Sequence, residues 1–268
     1  MQPTLAIEQG LDPEAENTLI QNAEELGWQI LRVQHVPFTT RFQKADKDGY
    51  TTNRPVPDED LHRPKTWYHG SIQGAKAAQT HTRWTVHAPW ENLKCTTYYA
   101  KLRHLLQQGI QHTTLHDLKA LITEPKFVRP NDCDKVFSGT VIRPDNYDEV
   151  YRLITSYDPP LNTQIVVAKY QKIIAEARFL IVNGVATTGS YANTKTTPKT
   201  IQTGDYLMGI AYKHLTLNPD YDPEKSWVLD LAQTIDGEWK ILEVGASSCA
   251  GLYACDTTKF LQALQRTL

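Results

Sequence analysis

Residues 226–248 read SWVLDLAQTIDGEWKILEVGASS, two apolar runs joined by Asp236-Gly237, and no other stretch restricts the fold as much. Asp-Gly between such runs is the strongest short-range hairpin signal. A two-residue loop makes Ile235 face Glu238, and counting back along both strands puts Asp230 directly opposite Glu243. A four-residue loop gives the same register; an odd one does not. Opposed Cβ atoms stand roughly 4.5–5.5 Å apart, so two carboxylates there repel unless something positive lies between them. VLDLA and ILEV are the texture of buried strands, where an uncompensated carboxylate is costly. Oxygen-only ligands favour magnesium or manganese over softer metals. Asp230 and Glu243 are therefore read as metal ligands. The plainer alternative is two exposed acids on an edge hairpin.

Two further segments carry charge in a useful pattern. In IIAEARFLIV (173–182) the two-residue period puts Glu176 and Arg178 on one face, roughly 7 Å apart, with Ala175, Ala177, Phe179 and Ile181 on the other. A same-strand salt bridge would explain that pair equally well. In KFVRPNDCDKVFSGT (126–140) a strand ends in Arg129, a polar turn carries Lys135, and a second strand follows. Arginine offers a planar fork to phosphate oxygens and lysine a mobile point charge. Ser138 and Gly139 add backbone amides suited to an anion. Basic tips in one half and opposed acids in the other fit a polyphosphate with its metal.

The rest of the chain supplies the frame. Residues 4–9 read as a strand, Asp12-Pro13-Glu14 caps a helix running to about 26, and Gly27 ends it. A second strand covers 28–36, a polar, Pro-rich loop 39–66, a third strand 67–71 and a short helix 72–79. Gly70 to Lys76 lacks phosphate-loop spacing and is a plain strand-to-helix turn. A helix is expected over 95–108, a short one after the Thr114–Asp117 capping box, and an Asp145-capped one to about 155. Strands are expected at 126–129, 136–142, 164–169, 173–182 and 185–191, and helices at 205–215 and 256–266. This alternation predicts an α/β front part and an α+β back part meeting near residue 112.

Composition narrows the function. The 268 residues carry a formal net charge of -2, with 28 basic and 30 acidic side chains, so a broad nucleic-acid surface is not expected. No apolar run approaches the ~20 residues of a membrane span, and the start lacks a signal-peptide pattern. Cys95, Cys133, Cys249 and Cys255 form no paired spacing and read as reduced thiols of a cytoplasmic protein. His81, Trp84, His87 and Trp90 match no zinc pattern and read as packed loop aromatics. Lys195 and Lys199 sit in a Thr-rich loop expected to be solvated.

Taken in order, FVRP (127–130), DKVFSG (134–139), VAKY (167–170), EARFLIVNG (176–184), VLDLA (228–232) and EVGASSCAGLYACD (243–256) resemble the ATP-grasp superfamily. The likeness is to a little-characterised bacterial and phage branch with Arg in place of the first phosphate-binding Lys. ENLKCTTYY (91–99) resembles that branch's join between its front and catalytic parts. The resemblance implies a Rossmann-like α/β pre-ATP-grasp domain (1–111) followed by an α+β ATP-grasp domain (112–268) of two lobes, 112–164 and 165–268. It implies that Arg129 and Lys135 hold ATP phosphates, with Ser138 and Gly139 beside them, and that Val167, Ala168 and Lys169 form the hinge along adenine. Glu176 would meet the ribose or the metal–phosphate cluster, Arg178 a phosphate or substrate carboxylate, and Asp230 and Glu243 magnesium. Ser247, Ser248 and Tyr253 would face the substrate. Gly245 stands where the family usually has Asn.

The function this implies is an ATP- and magnesium-dependent carboxylate–amine ligase working through an acyl phosphate on small-molecule or peptide substrates. A phosphotransferase and a non-catalytic nucleotide-binding module are the alternatives. Oligomeric state is open, a homodimer being the commonest assembly.

Overall fold

The computed structural model describes residues 1–8, 13–132, 136–156, 158–193 and 201–268. The chain begins with β1 (Thr4–Glu8), α1 (Pro13–Glu25), β2 (Gln29–His35), β3 (Phe42–Ala45), β4 (Thr51–Pro55), α2 (Asp58–Leu61), β5 (Thr66–His69) and α3 (Ile72–His81). The five strands form one sheet in the order β4-β3-β2-β1-β5. Within it β1 runs parallel to both β2 and β5, and β3 and β4 add an antiparallel hairpin to the β2 edge.

The hairpin and α2 correct the expectation of a structureless 39–66. Of β3 and β4 only Phe42 is buried and all of β4 is exposed, so an edge hairpin built on backbone pairing left no apolar alternation to read. Asp12, the expected cap of α1, lies outside the described residues.

Next come α4 (Cys95–Lys101), β6 (Gln111–Thr114), β7 (Lys126–Pro130), β8 (Thr140–Ile142), α5 (Tyr147–Thr155) and β9 (Gln164–Lys169), whose strands form a second sheet ordered β6-β9-β7-β8. Two expected elements are shorter here. The helix from Cys95 stops at Lys101, because the chain then turns to pair with a later strand: Leu106 N donates to the Ile241 carbonyl and Ile241 N to that of His104. The strand expected from 136 begins only at Thr140. After Thr114, whose hydroxyl does bond Asp117, a single 3-10 turn (Leu118–Leu121) replaces an α-helix.

The third sheet, ordered β12-β11-β10-β13-β14, is built from β10 (Ile173–Val182), β11 (Val185–Asn193), β12 (Ile201–Gln202), β13 (Ser226–Thr234) and β14 (Trp239–Ala246). With it go α6 (Asp205–Leu217) and α7 (Thr257–Gln265), the latter capped by Asp256. Strand β9 pairs with β6 and β7, which sets 164–169 in the second sheet rather than with the residues that follow.

The hydrophobic cores cut across chain order. Leu5, Ile7 and Trp67 of the first sheet pack with Leu180, Val228 and Phe260 of the third sheet and α7. Ala6, Val33 and Tyr68 share a second cluster with Phe179, Leu229 and Leu231. The second sheet keeps its own core of Leu115, Val128, Ile142, Ile165 and Val167, and so faces the joined first and third sheets as a separate lobe. The cleft between them holds Arg129, Glu176, Arg178, Asp230 and Glu243.

Candidate active site

The hairpin β13–β14 brings Asp230 opposite Glu243, although the loop is not the expected one. Thr234 N bonds the Glu238 carbonyl and Gly237 N bonds that of Thr234, so three residues form the turn, with Gly237 at a φ of 88°. An odd loop alone would put the acids out of register. A bulge between Asp230 and Leu231, opposite Leu242, shifts the register by one residue and cancels the offset. The pair survives through two compensating irregularities.

The neighbouring strand completes a row. Arg178 of β10 pairs in register with Asp230, so Arg178, Asp230 and Glu243 stand side by side across three strands. The guanidinium of Arg178 grips Asp230 with both arms, Nε to Oδ1 at 2.8 Å and Nη2 to Oδ2 at 2.7 Å. Its Nη1 donates to the Gly251 carbonyl at 2.8 Å, and its Cζ lies 4.5 Å from the ring centre of Tyr253. Tyr253 holds a φ of 51°, a strained conformation for an aromatic residue and one found preferentially at functional sites.

Arg129 approaches from the opposite wall. At the end of β7 its Nη1 donates to Glu243 Oε2 at 3.0 Å and to the Tyr98 hydroxyl at 3.2 Å. Burial disfavours both guanidinium charges, yet both stand above the ordinary arginine range. Asp230 over-compensates at Arg178, and at Arg129 the Tyr98 hydroxyl oxygen, as hydrogen-bond acceptor, and the Glu243 carboxylate do so. The positive charge between the opposed acids is thus supplied here by two arginines. Glu176, on the same face as Arg178, has its carboxyl raised by burial and then by repulsion from Asp230. All these acids offer only carboxylate oxygens, the donors magnesium takes, and the repulsion at Glu176 is what a divalent cation relieves. The donor set fits that ion. Among the described residues no group of three or more His, Cys, Asp or Glu could hold a metal ion, so phosphate oxygens would have to complete the coordination.

An apolar slot of about 240 Å³ opens beside this row, lined by Leu106, Phe127, Val141, Lys169, Gln171 and Leu242. Lys169 lies on it, but Val167 and Ala168 do not. Both are buried, and Val167 is paired with β6 on one side and β7 on the other, which commits its backbone to the sheet. The residues along the slot are 169–171. Gly139 packs against it: a Cβ there would come within 2.8 Å of the Phe127 ring and 3.6 Å of Arg129 Cβ. Ser138 and Gly139 are exposed. Lys135, Cys133, Lys195 and Lys199 lie outside the described residues.

Two smaller cavities meet at Arg178, Asp230 and Tyr253. One, of about 220 Å³, is lined also by Glu176 and Ser190, and the other, of about 130 Å³, by Ile72, Trp90, Arg129, Glu243 and Cys249. Ser247 and Ser248, expected toward the substrate, have no exposed surface. Ser248 Oγ accepts from Trp67 Nε1 and from the His87 amide, so it joins sheets rather than meeting a ligand. Tyr98, Phe127, Leu242 and Gly251 were not singled out by sequence. Phe127 had a signal, since it shares strand parity with Arg129.

The family model of an ATP-grasp domain, family 3 of its clade, matches residues 25–264. The chain belongs to that family. Membership puts it among the ATP-grasp ligases, enzymes that form carbon–nitrogen bonds. No curated protein matches it. Among solved structures, the D-cycloserine synthetase DcsG is similar with a TM-score of 0.59 at 10% identity, over 98% of this chain and 99% of that one. The N5-carboxyaminoimidazole synthetase from Staphylococcus aureus has a TM-score of 0.60 at 12% identity, over 99% and 78%. The ATP-grasp ligase PsnB, in complex with a minimal precursor, Mg and ADP, has a TM-score of 0.55 at 10% identity, over 98% and 96%. At these identities the likeness is one of fold. No described helix is long and apolar enough to cross a membrane.

Proposed function

We propose that this family member joins a carboxylate to an amine at the expense of ATP, through an acyl phosphate. The observation that carries the reading is the row Arg178–Asp230–Glu243–Arg129, set between an apolar slot sized for a purine and a pocket sized for a reacting group. The purine would lie against Phe127 and Leu242, with residues 169–171 along its edge. Arg129, the amides of Ser138 and Gly139, and Lys135 would hold the phosphates. A substrate carboxylate oxygen attacks the γ-phosphorus and ADP leaves. The amine nitrogen then attacks the acyl carbon, phosphate leaves, and the nitrogen sheds a proton.

No side-chain nucleophile is needed for either step. The chain's task is to neutralise and align, through Arg178 and Arg129. Asp230 and Glu243 would hold magnesium together with phosphate oxygens, with Glu176 beside that cluster; the ion would supply charge neutralisation on the transferring phosphoryl group. PsnB, described with Mg and ADP, supports the assignment by analogy. With Asp230 and Glu243 turned to that ion, Arg178 and Arg129 would be left to meet phosphate and carboxylate oxygens. The first sheet would form the front domain (1–111) and the remainder the two-lobed catalytic domain.

Gly245 motivates a second reading, nucleotide binding without turnover. Thermal melts with and without magnesium-ATP, on the wild type and Asp230→Ala, test the site. Nucleotide at about 100 times its dissociation constant stabilises by ~2.7 kcal/mol, several degrees for a chain this size. A metal-dependent rise lost in the variant supports the site, and ADP release with carboxylate–amine pairs separates ligase from binding module. No rise at saturating nucleotide overturns both readings.

A further inference from the structure

A groove of about 870 Å³ opens over the carboxyl ends of β1, β2 and β5, among Glu8, His35, Phe38 and Ser71 and the outer face of α3. The chain leaves β1 for β2 on one side and reaches β5 later on the other, so the groove sits at the topological switch point, where open α/β sheets bind ligands.

Its floor is closed to recognition of charge. The Glu8 carboxylate accepts from the His35 amide, the Tyr68 hydroxyl, and both the amide and hydroxyl of Ser71. His35 Nε2 is engaged with the Thr39 carbonyl at 2.7 Å. Among the described residues, the one charged group on the walls is Lys76, whose Nζ stands 5.5 Å over the Trp90 ring. Gln34, Thr40, Gln73 and Thr80 add neutral amides and hydroxyls, and Phe38, Ile72 and Ala77 apolar surface. Among the described residues these walls offer no arginine fork for a phosphate and no free acid for an ammonium terminus. Neutral amides on an apolar bed suit the main chain and uncharged side chains of an extended peptide. Phe38 stands on the rim, fully exposed at 106%, as the third residue of the Val36–Thr39 turn, whose geometry sets its φ of 61°.

The groove also leads to the reaction. Ile72 forms a wall of both the groove and the 130 Å³ pocket at Arg178 and Arg129, and Lys76 of the groove covers Trp90 of that pocket. We infer that the groove holds the uncharged, extended body of a peptide substrate, whose reacting group passes Ile72 to reach Arg178. This rests on the reading of the Arg178 pocket as the catalytic one.

The test is selection of a random heptapeptide display library on the wild-type chain, with Thr80→Trp as counter-target. Anisotropy then measures selected peptides on the wild type, Gln73→Trp, Thr80→Trp and Asp230→Asn. Positions 73 and 80 both sit on the exposed face of α3, and the magnesium-ATP melt reports whether each variant keeps its fold and nucleotide site. The expected result is peptide binding weakened at least about tenfold, the scale of one lost contact, in both Gln73→Trp and Thr80→Trp. Their nucleotide response should be unchanged, and Asp230→Asn should keep peptide affinity. Failure to enrich any peptide, or wild-type affinity in both α3 variants, overturns the inference. A wild type that binds peptide in the groove but shows no nucleotide response instead overturns the catalytic reading and leaves the peptide site standing.

Discussion

Arg129 Nη1 donates to Glu243 Oε2 at 3.0 Å, so the guanidinium ending a strand of one lobe is tied directly to an acid on the last strand of the other. If that acid is a metal ligand and that guanidinium a phosphate ligand, both roles are exercised by parting the pair. Charge-neutral replacements at either end therefore act on the nucleotide more than on the fold. Asp230→Asn and Glu243→Gln are expected to reduce turnover by roughly 10²–10³, about 2.7–4 kcal/mol, the scale of one lost electrostatic contact in a transition state. Steady-state ADP release checks this; a variant with wild-type turnover contradicts the metal assignment.

Tyr98 holds the same guanidinium from behind, its hydroxyl 3.2 Å from Arg129 Nη1 and in contact with Cys95 Sγ at 3.5 Å. Burial pushes its phenol well up, so it stays neutral and acts only as a hydrogen-bond partner. Tyr98→Phe should weaken ATP by about fivefold, the worth of a net hydrogen bond of ~1 kcal/mol. It should leave adenosine affinity unchanged. Calorimetric titration with both ligands decides, and equal losses for the two would mean a packing defect rather than a misplaced Arg129.

Gly139 supports the wall of the apolar slot. A methyl group there would sit 2.8 Å from Phe127 Cζ, so Gly139→Ala must displace the ring. Its expected signature is weakened binding of adenosine and ATP alike, with a melting temperature close to wild type. Unchanged adenosine affinity would remove Phe127 from the nucleotide site.

Gly245 invites the opposite experiment. It shares the strand face of Glu243, and the nearest atom to a Cβ there is Val228 Cβ at 3.6 Å, ordinary contact. Gly245→Asn should fold normally and lower the magnesium concentration at which ATP raises the melting temperature. A raised or unchanged magnesium requirement would show that the family's usual amide has no task in this chain.

Acid should weaken the fold early. Burial pulls His69 and His214 from an ordinary 6.5 down to about 4. As pH falls below 6.5 the unfolded chain takes up protons that the folded chain refuses. The histidine contribution therefore falls between 6.5 and 4 and levels off below, by about 3 kcal/mol for each ring. Ordinary carboxylates titrate only near pH ~5 and below, and Glu176, whose carboxyl is raised by burial, takes up its proton earlier and offsets part of the loss. A melting temperature that stays flat from pH 6.5 to 5 contradicts this.

The cleft residues were legible because strand periodicity is strict. Glu176 with Arg178 follows from counting by twos along an apolar strand, whereas Asp230 and Glu243 stand opposed through an odd turn and a bulge that the count did not contain. What escaped was whatever depends on distant partners. Tyr98 is an ordinary helical residue until Arg129 is folded onto it. Leu106 and Leu242 line the slot only because residues 104–106 abandon a helix to pair with Ile241. Ser247 and Ser248 look like substrate contacts by position, yet the buried indole of Trp67 claims the second hydroxyl. The hairpin at 42–55 had no apolar face and so no pattern.

The three-residue turn at 235–237 and the bulge opposite Leu242 constrain how this chain can vary in length. Deleting one residue at either place removes an unpaired residue and leaves the pairs Leu231–Ile241 and Asp230–Glu243 in register, so the acids stay abreast. Deleting one at each would restore a plain hairpin with the same two acids abreast. Single-residue length changes in this hairpin should therefore be accepted at these two unpaired places, each tolerated alone.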